Sequence, residues 1–556
     1  MDHAVRSVAG AKNAWAAVPP SERVGILGRL LDDFWAVSER WVAASLEAKG
    51  IAPGSPASAE EWIAGPYLVL RNLRLLREAL ADIAARGAPH IPGPVWTRPD
   101  QRAVAGVFPA SVWDRALFAG VTGEIWMQPG VTAEAVPETQ AWAYRAQASS
   151  GKTCLVLGAG NVSSIGPMDA LYRLFVENHA VVYKAHPVNA YLGPLLAEAF
   201  RSLVERDALR IVYGGAAEGS YLCAHQDVDE IHVTGSDKTY EAIVFGPGAE
   251  GERRRTERRP LLGKRVSAEL GNVSPVIVVP GPWSAGDYRY HAANLVSMLT
   301  NNAGFNCNAT RVIVTDASWP GRQRLMDEIR ALLARVPTRK AYYPGAAARA
   351  AEFAVSHSEA ERFGAVADGV LPWTLVSGLT ARRSADPCYT TEAFCGLFAE
   401  TGLESSGVAE FLPRAVEFCN QVLWGTLNAT ILVHPRSVAE PAAHAALEQA
   451  IADLRYGSIS INHWAAIAYA LGVTTWGAFP GHPPEDIQSG TGIVHNTLMF
   501  SRAEKSVVRA PFRVWPTPPW FVTNRAALRL GTRLAAFETR PTLLKTLGIF
   551  ATALRG

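Results

Sequence analysis

From Thr153 the chain alternates short apolar runs with loops and amphipathic stretches, and this rhythm limits its fold more than any other feature. Thr153-Cys-Leu-Val-Leu157 leads into Gly158-Ala-Gly-Asn-Val-Ser-Ser-Ile-Gly166, then a helical pattern near Met168 to Glu177, then Ala180-Val-Val-Tyr-Lys184. A second unit follows, with Leu209-Arg-Ile-Val-Tyr213, Glu230-Ile-His-Val-Thr234 and a helix opening at Gly235-Ser-Asp-Lys. Short apolar runs alternating with helices predict an α/β fold, a parallel sheet with helices on its faces. Ligands of such a sheet sit beyond the carboxyl ends of the strands. Lys184 and Thr234 stand at such ends, although a lysine there is also an ordinary snorkelling side chain.

Around this core the text is simpler. Arg23 to Phe34 and Leu68 to Leu80 carry apolar residues at three- and four-residue spacing, which predicts helices covering a sheet. Between Gly123 and Cys154 short strand-like pieces surround a Pro129-Gly130 turn, which predicts a hairpin projecting from the body. The length of 556 residues corresponds to roughly three to four ordinary domains. A formal charge of +2 supplies no global field to recruit nucleic acid, so the expected partner is a small molecule. Six cysteines without a CxxC pair, and no export signal, predict a reducing cytoplasm. The longest apolar run, Trp464 to Leu471, is less than half of the roughly 20 residues that a spanning helix needs.

Cys307 lies in Asn301-Asn-Ala-Gly-Phe-Asn-Cys-Asn-Ala-Thr-Arg311, a Gly- and Asn-rich bend ahead of the β-branched run Val312-Ile-Val-Thr315. A thiol presented from a loop before a buried strand is displayed as a nucleophile is. Thirty-eight residues upstream, Glu269 precedes a turn and a second apolar strand. Alone, each has a duller reading, an inert filler thiol and a solvated loop acid. The glycines Gly158 and Gly160 fail the dinucleotide fingerprint, because Ser163 stands where the third glycine would fall, and a tight strand-to-helix turn accounts for them. Thr234-Gly-Ser236 opens a helix, where free N–H groups can hold a pyrophosphate. There is no HExxH, no GxSxG elbow and no histidine cluster at ligand spacing, so no metal is expected.

The ordered series Asn161, Lys184, Thr234-Gly-Ser236, Glu269-Leu-Gly271, Gly304-x-x-Cys307 and Glu392-Ala-Phe394 resembles the aldehyde dehydrogenase superfamily over roughly residues 100 to 500. The resemblance implies a parallel-sheet cofactor domain (1–122 and 153–280), an α/β catalytic domain (281–475) and a β-hairpin oligomerisation arm (123–152 and 476–510). It implies a homodimer or homotetramer that oxidises an aldehyde to a carboxylic acid with NAD or NADP. Cys307 is then the nucleophile, Glu269 the base that activates water, and Asn161 an oxyanion-hole donor together with the Cys307 N–H. Lys184 would bind the adenine ribose, Thr234, Gly235 and Ser236 the pyrophosphate region, and Glu392 with Phe394 the nicotinamide ribose and ring.

The sequence also departs from the family. Ala185-His-Pro187 replaces the acid that usually grips the ribose hydroxyls of NAD, which leaves NADP open. About eleven extra residues before Glu269 include Glu252-Arg-Arg-Arg-Thr-Glu-Arg-Arg259, read as a solvated arginine loop. Arg311 arrives one position early, and Trp464, Trp476 and Phe479 are candidate walls of an apolar pocket. Residues 511–556 extend past the usual family end and carry basic residues with one acid, Glu538. Such a basic amphipathic segment either lies peripherally on an anionic membrane or packs on the body or on a neighbouring subunit. Two rival functions follow: an acyl-CoA or acyl-thioester reductase, and a catalytically altered, membrane-associated family member.

Overall fold

The computed structural model describes residues 1–145, 150–365 and 367–556. Five parallel strands form one sheet in the order Leu209–Val212, Ala180–Lys184, Thr153–Leu157, Glu230–Thr234 and Arg265–Glu269. Thr153–Leu157 is the switch strand, so the turn from Gly158 to Ser164 opens where the chain leaves the sheet on opposite sides. The N-terminal helices Asp2–Ala16 and Pro20–Lys49 cover this sheet, with Val8, Trp15 and Phe34 sharing a core with Leu155, Val181 and Leu209. Gly158 and Gly160 serve the turn, since a Cβ on Gly160 would come within 2.4 Å of the His186 ring.

A larger sheet of eleven strands holds seven parallel strands at its centre, from Ala503–Arg509 through Ser458–Ile461, Asn428–Leu432, Pro275–Val278, Val312–Asp316 and Leu397–Leu403 to Trp373–Thr380. Antiparallel strands Val95–Thr97, Ala103–Phe108 and Thr122–Met127 extend one side, and Glu361–Phe363 the other. The two sheets are joined by the short crossing from Leu270 to Ser274, which runs from the end of one strand to the start of another. Arg311 donates its N–H to the Ser274 carbonyl at 2.9 Å, which draws the segment after Cys307 against that crossing. The topology thus brings Glu269 and Cys307 to one place.

The hairpin expected to project between Gly123 and Cys154 does not do so. Thr122–Met127 is an inner strand, paired with Ala103–Phe108 on one side and Ala503–Arg509 on the other. Its burial explains the difference: Ile125, Trp126 and Met127 are each 0% exposed, so both faces of the strand are covered and none is free for solvent. The remainder of the expected arm holds a short 3-10 turn, Val136–Thr139, and a helix, Trp142–Arg145, while 146–149 fall outside the described residues. The arginine-rich insertion is an exposed helix, Gly248–Thr256, with Glu250 bridging Arg253 and Arg254.

The C-terminal segment folds onto the body in its first part. Helix Ala527–Thr539 buries Glu538, which bridges Arg71 at 2.9 Å and Arg74 at 2.6 Å. Among the described residues no helix is long and apolar enough to cross a membrane.

Candidate active site

Cys307 and Glu269 face each other on the wall of one cavity of about 120 Å³. The thiol donates to Glu269 Oε1 at 3.8 Å, and Trp476 Nε1 donates to the same oxygen at 2.8 Å. Glu269 Oε2 is enclosed without a hydrogen-bond partner. Burial pushes the Glu269 carboxyl up to about 7, with nearby Asp169 adding to the rise, while His495, Trp476 and Cys307 oppose it. The Cys307 thiol is pushed well above its usual range, first by burial and then by the neighbouring carboxylates Glu269 and Glu392. Near neutrality the pair therefore rests as a neutral thiol beside a carboxyl poised to exchange its proton.

The loop that presents Cys307 is conformationally demanding. Asn302, Ala303 and Gly304 all lie in the left-handed region, at φ 51°, 55° and 82°. A Cβ on Gly304 would sit 2.5 Å from the Cys395 carbonyl oxygen, so only glycine fits there. The loop is held from several directions. Arg311 donates to the carbonyls of Gly304 at 2.7 Å and Cys395 at 2.6 Å, and less closely to those of Asn306 and Leu397, both at 3.3 Å. Asn302 accepts from Lys49 Nζ at 3.0 Å and the Tyr342 hydroxyl at 2.9 Å, and its N–H donates to Glu60 at 2.8 Å. Lys49 is itself paired with buried Glu61 at 2.7 Å. No local pattern announces Lys49, Glu60 or Tyr342, which act on the loop across long stretches of sequence.

Asn161 lines the same cavity and donates one side-chain N–H to the Phe305 carbonyl at 3.0 Å. That contact fixes the amide beside the thiol and leaves its second N–H for another acceptor. Lys184 ends its strand as expected, with its ammonium donating to the Gly214 carbonyl at 2.5 Å. The pyrophosphate residues are engaged differently from the expectation. Thr234 Oγ1 donates to Asp169 at 3.0 Å, and the Gly235 N–H donates to the Glu269 carbonyl at 3.0 Å. Ser236 caps helix Asp237–Val244 by accepting the Thr239 N–H at 3.2 Å.

Glu392 lies against Gly271, where an added Cβ would meet its Oε2 at 2.0 Å. Its Oε1 is enclosed and unpartnered, and burial pushes the carboxyl up to about 7 against the pull of Arg311. Phe394 adopts a positive φ of 41° and packs at 5.0 Å from Tyr343 and 5.9 Å from Phe305. Trp464 and Trp476 line the cavity as expected, joined by Trp520 from the C-terminal segment. Phe479 does not line it and sits instead with its ring 5.4 Å from Lys505.

A buried chain of titratable groups runs behind Glu269. His495 Nε2 is 4.0 Å from Glu269 Oε2 and 3.0 Å from Asp169 Oδ1, and His232 lies 3.4 Å from that same Asp169 oxygen. Burial opposes ionisation of Asp169, yet these two histidines hold its carboxyl below the usual range. Two trios that sequence spacing concealed also meet in the interior, His357 with Asp386 and Cys388, and Glu177 with His179 and Glu230. The second is bridged by Arg173, Arg265 and Lys152, the mark of a structural ion-pair cluster.

Residues 153–362 match the sequence model of the aldehyde dehydrogenase family. Over 183 residues the chain is 30% identical to N-succinylglutamate 5-semialdehyde dehydrogenase of Sphingopyxis alaskensis, an overlap covering 33% of this chain and 34% of that protein. The chain thus spans about a third of the length of the curated relatives it matches. In three dimensions the likeness is broader. NADP-dependent glyceraldehyde-3-phosphate dehydrogenase from Bacillus halodurans, complexed with NADP, superposes with a TM-score of 0.60 at 17% identity, over 91% of this chain and 90% of that one. Aldehyde dehydrogenase C from Pseudomonas syringae, solved as a mutant with NAD+ and octanal, gives 0.59 at 15% identity, over 92% and 89%. Across nine-tenths of its length the chain has the fold of these dehydrogenases, and residues 153–362 match the sequence model of the aldehyde dehydrogenase family.

Proposed function

We propose that the protein oxidises an aldehyde with an apolar body to a carboxylic acid, using NAD or NADP and a covalent Cys307 intermediate. The observation that carries this reading is the approach of Cys307 Sγ to Glu269 Oε1, 3.8 Å apart on the wall of a shared cavity. Glu269 takes the thiol proton, which leaves a thiolate to attack the aldehyde carbon. The developing oxyanion is met by the free N–H of Asn161 and the backbone N–H of Cys307, a pair that stabilises it by on the order of 3 kcal/mol per donor. A bound NAD or NADP would supply the hydride acceptor. After hydride loss the substrate remains as a thioester on Cys307. Glu269, once more ionised, removes a proton from water so that hydroxide attacks the thioester carbon and the thiolate departs.

Two observations support a dinucleotide at this site. Glu392 Oε1 is a buried acceptor without a partner, suited to a ribose hydroxyl, and Lys184 stands at the carboxyl edge of the sheet. With Gly235 and Thr234 already hydrogen-bonded inward, Ser236 and the helix it caps are the remaining candidates for the phosphates. After Lys184, Ala185-His-Pro187 puts Pro187 where the acid would stand, which suits either dinucleotide. The cavity wall is mainly apolar, including Ile63, Ala64, Leu68, Ile467, Trp464 and Trp520, and this supports an aldehyde with a hydrocarbon body.

The reductase alternative takes an acyl group onto the thiol and reduces it, so it has no hydrolytic step for a water-activating base to serve. The pairing of Glu269 with Cys307 favours the oxidation, and it equally disfavours a scaffold without catalysis. The test is a panel of aldehydes of increasing chain length with NAD and with NADP, followed by absorbance of the reduced nicotinamide. Turnover rising with chain length is expected. Activity confined to acyl-CoA with reduced dinucleotide would establish the reductase instead.

The pH dependence follows from the same geometry. Glu269 must be ionised to act, so the rate is expected to rise with pH through about 7 and then level. His495 favours the ionised form of Glu269, so His495→Gln should move the midpoint of that rise to higher pH. A pH–rate profile with an unmoved midpoint would remove His495 from the catalytic electrostatics.

A further inference from the structure

The last helix of the chain, Leu543–Ala553, carries large apolar side chains outward. Leu543 is 66% exposed, Leu544 81%, Leu547 57% and the adjoining Leu554 60%. At about 100° of rotation per residue these four positions fall within one face of roughly 100°. The opposite face, with Thr546, Ile549 and Thr552, is buried against the body, so the helix is not a frayed end. An outward leucine stripe of this kind is a liability in water unless something covers it.

The charge around the stripe indicates what covers it. Residues 511–556 contain seven basic side chains and one acid. That acid, Glu538, is buried and consumed by Arg71 and Arg74. Among the described residues, Arg513 alone of the seven cations has an acidic partner, 3.7 Å from Asp287. Among the described residues, Arg525, Arg529, Arg533, Arg540, Lys545 and Arg555 have no acid within ion-pair distance. Exposed leucines on a segment whose cations are uncompensated match a surface that is apolar beneath and anionic above.

We propose that helix Leu543–Ala553 docks this protein peripherally on an anionic lipid bilayer, with Leu543, Leu544, Leu547 and Leu554 entering the interfacial zone. The helix is anchored to the enzyme body through Ala527–Thr539, which packs on Ser58–Trp62 and Ile63–Tyr67. Those segments supply Glu60, Ile63 and Ala64 to the cavity wall, and the same C-terminal segment supplies Trp520. The docking face therefore sits one structural layer from the Cys307 cavity, and docking favours aldehydes that partition into the bilayer. This last step rests on the aldehyde reading, whereas the docking itself does not.

The test is flotation of the full chain with vesicles of phosphatidylcholine alone and with 30% phosphatidylglycerol, a composition that imposes roughly the negative potential of an anionic leaflet. Wild type is expected to float with the anionic vesicles, less so in high salt. The variant L543D/L544D/L547D should lose flotation by about tenfold or more. R525E/R529E should weaken it on anionic vesicles alone. Circular dichroism melting checks that both variants remain folded. Equal flotation of wild type and the leucine variant, or no flotation of wild type, overturns the proposal. So does a halving of the solution mass of the leucine variant by light scattering, which would show that a second copy of the chain covers the stripe. The substrate step has its own readout: the leucine variant should lose activity toward a long-chain aldehyde loaded in vesicles while keeping that toward propanal in buffer. Equal loss on both substrates counts against delivery from the bilayer.

Discussion

Replacing Cys307 by alanine should abolish aldehyde oxidation, with a loss on the order of 10⁴-fold or more, because among the described residues no second thiol lines the cavity. Glu269→Gln should behave differently. The amide keeps the size of the carboxyl and can still accept the thiol and Trp476 contacts, but it cannot take a proton from water. One equivalent of reduced nicotinamide per site should form, after which the enzyme stalls as a Cys307 thioester. The expected steady-state loss is about 10²- to 10⁴-fold. Rapid-mixing absorbance gives the burst, and intact mass spectrometry gives the acyl adduct. Full steady-state rates in either variant would remove the proposed chemistry. In the proposed mechanism Glu269 also receives the thiol proton, so the burst in Glu269→Gln should be slower than in wild type, and raising the pH should speed it.

Much of this site is legible in the linear sequence, and the reason is local. Strands such as Thr153–Leu157 and Ala180–Lys184 are marked by unbroken apolar runs between turns, and the same runs place Glu269 at a strand end and Cys307 on the loop ahead of a strand. Pairing is not encoded so locally. Thr122–Met127 looks like one leg of a hairpin, but its partner across the sheet is Ala503–Arg509, and only the burial of both its faces shows why. Thr234 and Gly235 sit where a phosphate site would form, yet their polar groups are turned to Asp169 and the Glu269 carbonyl. Asp169 and His495 escape detection because a single buried carboxylate or imidazole has no periodicity. Their contact depends on elements more than three hundred residues apart.

Arg311 is the sharpest example, visible in the sequence only as an arginine one position early, and its removal is the second large effect expected. The loop before Cys307 holds two non-glycine residues in the left-handed region, at roughly 1–3 kcal/mol each. That cost must be offset by contacts that only the folded loop makes. Arg311 provides four of them, to the carbonyls of Gly304, Asn306, Cys395 and Leu397, in a site where water cannot replace it. Arg311→Met would leave these acceptors dry and unpaired, a loss of about 3–5 kcal/mol, which is a large share of ordinary domain stability. A lower melting temperature, fast amide exchange at residues 301–307 and turnover reduced at least tenfold are expected together. Arg311→Lys should recover part of the stability, since an ammonium can reach some of these carbonyls but cannot span both sides of the fork. If the Met variant melts with wild type and its loop amides stay protected, then Lys49, Glu60 and Tyr342 suffice to hold Asn302, and the strain at Asn302 and Ala303 is offset without Arg311.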